Sequence, residues 1–173
     1  MEFSTARLQI RFAEESDAQA LLNIWNDFGK SPYARFDKPH YTTIEDTAQM
    51  LLRFKAKRDG GEHMFFAVCL NGQMIGYFSV NRSGTWYEIG YVFHSAYQGH
   101  GYAQEALNAL LDQLRTLGIT LIAAGTGLEN TPSVNLLKNC GFELTATEEV
   151  SFYRDENGRD IVFEGGIFRK KLA

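Results

Sequence analysis

Leu8-Gln9-Ile10-Arg11-Phe12 alternates apolar and polar side chains, the period of a short strand with one buried face. The period then lengthens. Ala20, Leu21, Ile24, Trp25 and Phe28 recur at helical spacing, with Ser16 or Asp17 placed to cap the start and Gly29 to stop the end. Ser31 to Tyr41 holds two prolines among aromatic and imidazole rings, which predicts an irregular loop packed on the domain rather than a linker. Thr42, followed three residues on by Glu45, predicts a capping box for a second helix. Its buried side would carry Ile44, Thr47, Leu51 and Phe54 before Asp59-Gly60-Gly61 ends it.

From His63 to Leu70 the run is strand-like, Asn71-Gly72 is a two-residue hairpin turn, and Gln73 to Asn81 returns as the antiparallel partner. Ser83-Gly84 turns the chain again into a strand through Trp86 to Phe93, so three antiparallel strands follow one another. After a glycine-containing loop, Tyr102 to Leu117 is amphipathic, with Ala106, Leu107, Leu110, Leu111 and Leu114 as its apolar stripe and Gly118 as its stop. Ile119 to Ala124 predicts a buried strand entered from a crossover helix. Asn130-Thr131-Pro132 starts a short helix ending at Cys140-Gly141, with the proline in the first turn, where its missing N–H costs nothing. Phe142 to Tyr153 and Ile161 to Phe168 form a last hairpin around Asp155-Glu156-Asn157-Gly158. The order is βαα, βββ, α, β, α, ββ: an α+β (mixed α/β) fold of about seven strands and about four helices around one sheet.

The 173 residues suit one domain spanning 1–173, since a chain of this length buries about 70% of its unfolded surface without disulfides or structural metal. The longest apolar run, Met64 to Leu70, falls well short of the ~20 residues that span a bilayer, and the N-terminus has no signal-peptide pattern, so a cytoplasmic protein with no membrane partner is expected. Cys69 and Cys140 are expected as reduced thiols, not a zinc site. The net charge of −4 argues against a nucleic-acid partner, and the Arg169-Lys170-Lys171 cluster is expected as a solvated end. Any anionic ligand must then be held by local geometry.

Gln98-Gly99-His100-Gly101-Tyr102-Ala103, between a strand and a helix, offers such geometry. Small residues let the backbone turn tightly and bring several N–H groups to one point, at which the following helix aims its positive dipole end. A pyrophosphate fits; so does a strand-to-helix turn without a ligand. The chain has no G-x-x-x-x-G-K-[ST] run, and the strand after the helix ends Ala123-Ala124-Gly125-Thr126 without the carboxylate of a dinucleotide fold.

The loop resembles the Q/R-x-x-G-x-G/A phosphate motif of the GNAT superfamily of N-acetyltransferases, with Gln98, Gly101 and Ala103 in its fixed positions. Thr5-Ala6-Arg7-Leu8 with Arg11 and Asp17-Ala18, the run Glu88-Ile89-Gly90-Tyr91, Glu105-Ala106, and Asn130-x-x-Ser133-x-x-Leu136-Leu137-x-x-x-Gly141-Phe142 are similar to the branch of bacterial ribosomal-protein N-terminal acetyltransferases. The resemblance implies a mostly antiparallel sheet with a V-shaped splay between the strands at Tyr87–Phe93 and Ile119–Ala124. It implies acetyl-coenzyme A as cosubstrate and a primary amine, on a protein N-terminus or a small molecule, as acceptor. Backbone groups of Val92 and Phe93 would take the pantetheine and polarise the thioester carbonyl. The Gln98, Gly99, His100, Gly101, Tyr102 and Ala103 segment would take the pyrophosphate, Asn130 the pantetheine, and Ser133 the neighbourhood of the sulfur. No metal enters this chemistry. A non-catalytic coenzyme A binding or sensing module is the alternative.

Amine attack on a thioester requires loss of a proton from nitrogen and departure of a thiolate. Glu88, a few residues before the thioester segment, is the candidate base if it faces the acceptor, and an outward strand carboxylate if it does not. Many members of the family carry a tyrosine four residues before the Gly-Phe pair; here that position is Leu137, which leaves Ser133 as the candidate acid or as a hydroxyl bonded to helix backbone. Trp25, Tyr33, Phe36 and Glu88 are the candidate acceptor-binding residues. Monomer and homodimer both fit the sequence.

Overall fold

The computed structural model describes residues 1–172. The elements are β1 (Glu2–Ser4), β2 (Gln9–Phe12), α1 (Ala18–Phe28), α2 (Ile44–Arg58), β3 (His63–Leu70), β4 (Gln73–Ser83), β5 (Trp86–Phe93), α3 (Tyr102–Thr116), β6 (Leu121–Gly127), α4 (Thr131–Asn139), β7 (Glu143–Arg154) and β8 (Asp160–Lys171), with short 3-10 turns at Glu15–Asp17, Ala34–Phe36 and Ser95–Tyr97. The strands form one sheet in the order β1-β2-β3-β4-β5-β6-β8-β7. The eighth strand, absent from the sequence expectation, is the short edge β1, three residues without an apolar alternation long enough to read.

The continuous apolar run of β3 is buried on both faces because helices cover both. Phe65, Ala67 and Cys69 pack with Leu21, Ile24, Trp25 and Leu51 of α1 and α2. Phe66 and Val68 pack in the other core with Leu107, Leu110 and Leu114 of α3 and Leu137 of α4. All five residues of the expected α3 stripe are buried. At α2 the cap is Thr43, not Thr42: its side chain accepts the Asp46 N–H at 3.2 Å. With the helix starting there, Thr47 and Leu51 are inside and Ile44 is exposed at the first turn. Asp17 stands at the α1 boundary but spends its carboxylate on the Glu14 N–H and on a two-pronged pair with Arg11. Arg169 and Lys170 belong to β8 rather than to a loose end, and bond Thr145 Oγ1 and the Cys140 carbonyl.

All neighbouring strands pair antiparallel except β5 and β6, which run parallel and are joined only at Tyr87–Ile122 and Glu88–Ala123. Beyond Glu88, β5 stays with β4 while β6 follows β8, so the sheet opens into a V between Ile89–Phe93 and Ala124–Gly127.

Candidate active site

The V opens into a cleft of about 790 Å³. One end is the loop between β5 and α3. Gly99 and Gly101 have φ of +79° and +78°, a left-handed backbone that side chains disfavour. Gly101 caps α3 without a side-chain bond. Among the described residues, no protein acceptor takes any backbone N–H from Gly99 to Gln104. A row of unpaired donors at a helix N-terminus is an anion cradle.

The cradle is braced from two sides. Arg7 donates from Nη1 to the His100 carbonyl at 2.9 Å and from Nε to Glu105 at 2.7 Å, and its guanidinium lies over the Tyr102 ring. The Thr5 hydroxyl also bonds Glu105, and with the Arg7 bonds it outweighs burial and holds this carboxyl below its ordinary range. On the other side, Asp27 at the end of α1 accepts the Ser95 N–H at 2.8 Å and its hydroxyl at 2.7 Å. Burial works to raise the Asp27 pKa, and the Ser95 bonds outweigh it, so Asp27 stays ionised.

Along β5, the His94 N–H donates to the Ile75 carbonyl, and the antiparallel ladder therefore turns Val92 and Gly90 toward β4 and Phe93, Tyr91 and Ile89 toward the V. Of the expected pair, Phe93 thus presents its N–H to the opening, whereas that of Val92 belongs to the sheet. On the far wall Asn130 caps α4 through Oδ1 to the Ser133 N–H at 3.4 Å, and Ser133 Oγ lies 2.7 Å from the Tyr91 hydroxyl.

Val92, Phe93, Gln98, Gly99, Gly101, Tyr102, Ala103, Asn130, Ser133, Tyr33 and Phe36 all line the cleft. His100 does not: its side chain is exposed and its carbonyl serves Arg7. Trp25 does not either, because its ring is buried, with Nε1 donating to the Tyr77 hydroxyl and one face stacked on His40. Glu88 is exposed on the strand side shared with Gly90 and Val92, below the point where the V opens, and is not a lining residue. Sequence reasoning missed Tyr91, Thr126, Asn135, Asn139 and the Asp27-to-Ser31 corner as lining residues. Asn135 and Asn139, one helical turn apart on α4, carried a readable signal in that spacing; the others did not.

Residues of the Ser31–Tyr41 loop also line the cleft. Phe36 is buried against Gly127, where any side chain would collide with its ring, and meets Phe163 edge-on at 5.1 Å. Arg35, next to Phe36 in the chain, pairs with Glu129 at 2.6 Å. Cys140 is buried, and that burial pushes its thiol up to about 11, away from the thiolate form. No group of three metal-ligating side chains occurs among the described residues, and no helix there is long and apolar enough to cross a membrane.

A profile of the acetyltransferase (GNAT) domain matches residues 7–143. The chain belongs to the GNAT acetyltransferase family. An uncharacterized N-acetyltransferase of Bacillus subtilis, YnaD, is 32% identical to this acetyltransferase over 82% of each chain. The L-methionine sulfoximine/L-methionine sulfone acetyltransferase of Salmonella typhimurium is 28% identical over 80% of this chain and 82% of its own. RimL, a ribosomal L7/L12 alpha-N-protein acetyltransferase solved with coenzyme A, shares the fold at a TM-score of 0.84, with 20% identity over 99% of this chain and 98% of its own. The activity class of this acetyltransferase is acetyl-coenzyme A dependent N-acetylation. Its residues fit that cosubstrate: an unpaired donor row suits a pyrophosphate, and a strand edge left open by the V suits an amide-bearing arm.

Proposed function

We propose that residues 1–173 work as one domain that passes an acetyl group directly to a primary amine carried by an amino acid-like acceptor, free or at a protein N-terminus. The observation that carries this is the open strand edge of β5, which ends in the unpaired N–H row of Gly99 to Gln104. Acetyl-coenzyme A supplies an activated acyl carbon; the protein does the rest. The loop Gln98 to Ala103 grips the pyrophosphate, Asn130 the pantetheine, and the Phe93 N–H faces the oxygen on which negative charge builds. One such preorganised donor lowers a barrier by about 3 kcal/mol.

Glu88 takes the amine proton through water, since its carboxylate lies outside the cleft lining. Ser133 donates to the departing sulfur. Tyr33 and Phe36, with Phe28 and Asp37 beside them, receive the acceptor, and the Trp25–His40 stack holds their loop in place. The acceptors in the names of the relatives, a methionine derivative and a protein N-terminus, support an α-amine. No metal takes part in the transfer, and the site works in the cytoplasm.

Release of free thiol from acetyl-coenzyme A against a panel of amino acids and peptides tests the reading. Binding of the cosubstrate with release for a subset of α-amines is expected. Binding without release for any amine would leave the coenzyme A sensing module in its place.

A further inference from the structure

Tyr91 is among the cleft groups that the transfer just described does not use. Tyr91 stands on β5 with its ring edge-on to Phe78, centroids 5.8 Å apart, and its hydroxyl 2.7 Å from Ser133 Oγ, 42 residues further along the chain. Among the described residues neither oxygen has another side-chain or backbone partner. Each hydroxyl carries one proton, so one proton lies between the two oxygens and the other remains free to face the cleft.

Elementary chemistry decides which. A phenol is a stronger acid and a weaker base than an aliphatic alcohol, so the favoured arrangement has the Tyr91 O–H donating to Ser133 Oγ. The Ser133 backbone N–H is already taken by Asn130 Oδ1. Its hydroxyl proton is then the group without a protein acceptor, and both residues line the cleft. One turn along α4, Leu137 is fully buried and has no proton to offer.

We propose that Tyr91 is a positioning residue: it fixes the Ser133 hydroxyl so that the serine proton points into the cleft, toward the sulfur that leaves. The inference rests on the acetyl-transfer reading and names how its hydrogen-bond donor to the sulfur is aimed. As the amine lone pair forms the C–N bond, the C–S bond breaks with its electron pair on sulfur, and Ser133 donates a hydrogen bond to that thiolate. The proton that completes the thiol balances the one the amine loses and travels through water. Tyr91 keeps its own, since burial pushes its phenol well above the ordinary range and the Ser133 bond offsets only part of that.

The test uses the full chain with coenzyme A alone, titrating the bound thiol by thiolate absorbance. A charge-assisted hydrogen bond corresponds to roughly one pH unit or more. Ser133→Ala is therefore expected to move the bound titration upward by about that much. Tyr91→Phe, which keeps the ring against Phe78, should move it upward by about half as much and add nothing in the Ser133→Ala background. With an acceptor present, Tyr91→Phe should lower kcat about 3- to 10-fold with the KM for acetyl-coenzyme A unchanged, and again add nothing to Ser133→Ala. A Tyr91→Phe titration equal to wild type, even with a lowered melting temperature, would overturn the proposal and leave Tyr91 a packing residue. An equal shift in both backgrounds would overturn it too. If wild type binds no coenzyme A, both this proposal and the transfer reading fall; if it binds and transfers while Tyr91→Phe changes nothing, only the proposal does.

Discussion

From Gly99 to Gln104 the cleft wall is backbone, a row of N–H groups set by two left-handed glycines and a helix start, whereas from Tyr33 to Asp37 it is side chain, seated on the sheet by the Phe36 ring. The backbone wall can hold a part common to every acyl donor of this kind, because a peptide N–H is the same whatever residue carries it. A side-chain wall can differ from one sequence to the next without touching the first. The two ends are also braced differently. Arg7 and Glu105 clamp the loop through charge and hydrogen bonds, while Phe36 clamps the other end by filling the space that Gly127 leaves.

If that division is right, changes should sort by wall. Gly101→Val places a branched side chain at a φ of +78° and should weaken acetyl-coenzyme A binding by about 100-fold or more in a titration, through strain and a displaced loop. Glu88→Gln should lower kcat by about 10- to 100-fold and flatten the rising limb of the pH–rate curve, with cosubstrate affinity nearly unchanged; an unaltered curve removes Glu88 as the base. Phe36→Ala should cost about 3 kcal/mol of stability by denaturant unfolding and raise the acceptor KM more than that of acetyl-coenzyme A. An equal rise in both would mean that the walls are not separate.

Glu105→Gln probes the other brace. The Glu105 carboxyl titrates below its ordinary value near 4.5, so it stabilises the fold above that pH and its contribution fades as pH falls through the lowered value. The variant should show a shallower loss of melting temperature on acidification and a few-fold weaker cosubstrate binding. The smallest effect is expected from Arg35→Ala: the pair with Glu129 is exposed, so stability should change by less than about 1 kcal/mol, with only the acceptor KM moving.

Much of this was legible before any coordinates. The α3 stripe, the Asn71-Gly72 hairpin, the α4 start at Asn130-Thr131-Pro132 and the glycine spacing of the loop all rest on local rules, in which a residue's neighbours along the chain decide its state. What escaped depended on partners far away. Trp25 reads as a cleft aromatic from its helix, yet Tyr77 and His40 take its edge and face. Val92 and Phe93 read as equivalent, and only the ladder to β4 separates the N–H that is spent from the one that is free.

By itself the sequence determined the order of every element but β1, the glycine turn before α3 and the family, because period, capping and glycine placement are encoded within a few residues of each other. Tertiary structure alone decided where β5 leaves β6, which backbone groups that parting exposes, and that Tyr91 meets Ser133. Those are contacts between segments tens of residues apart, set by how two cores pack against one twisted sheet, and no local pattern records them.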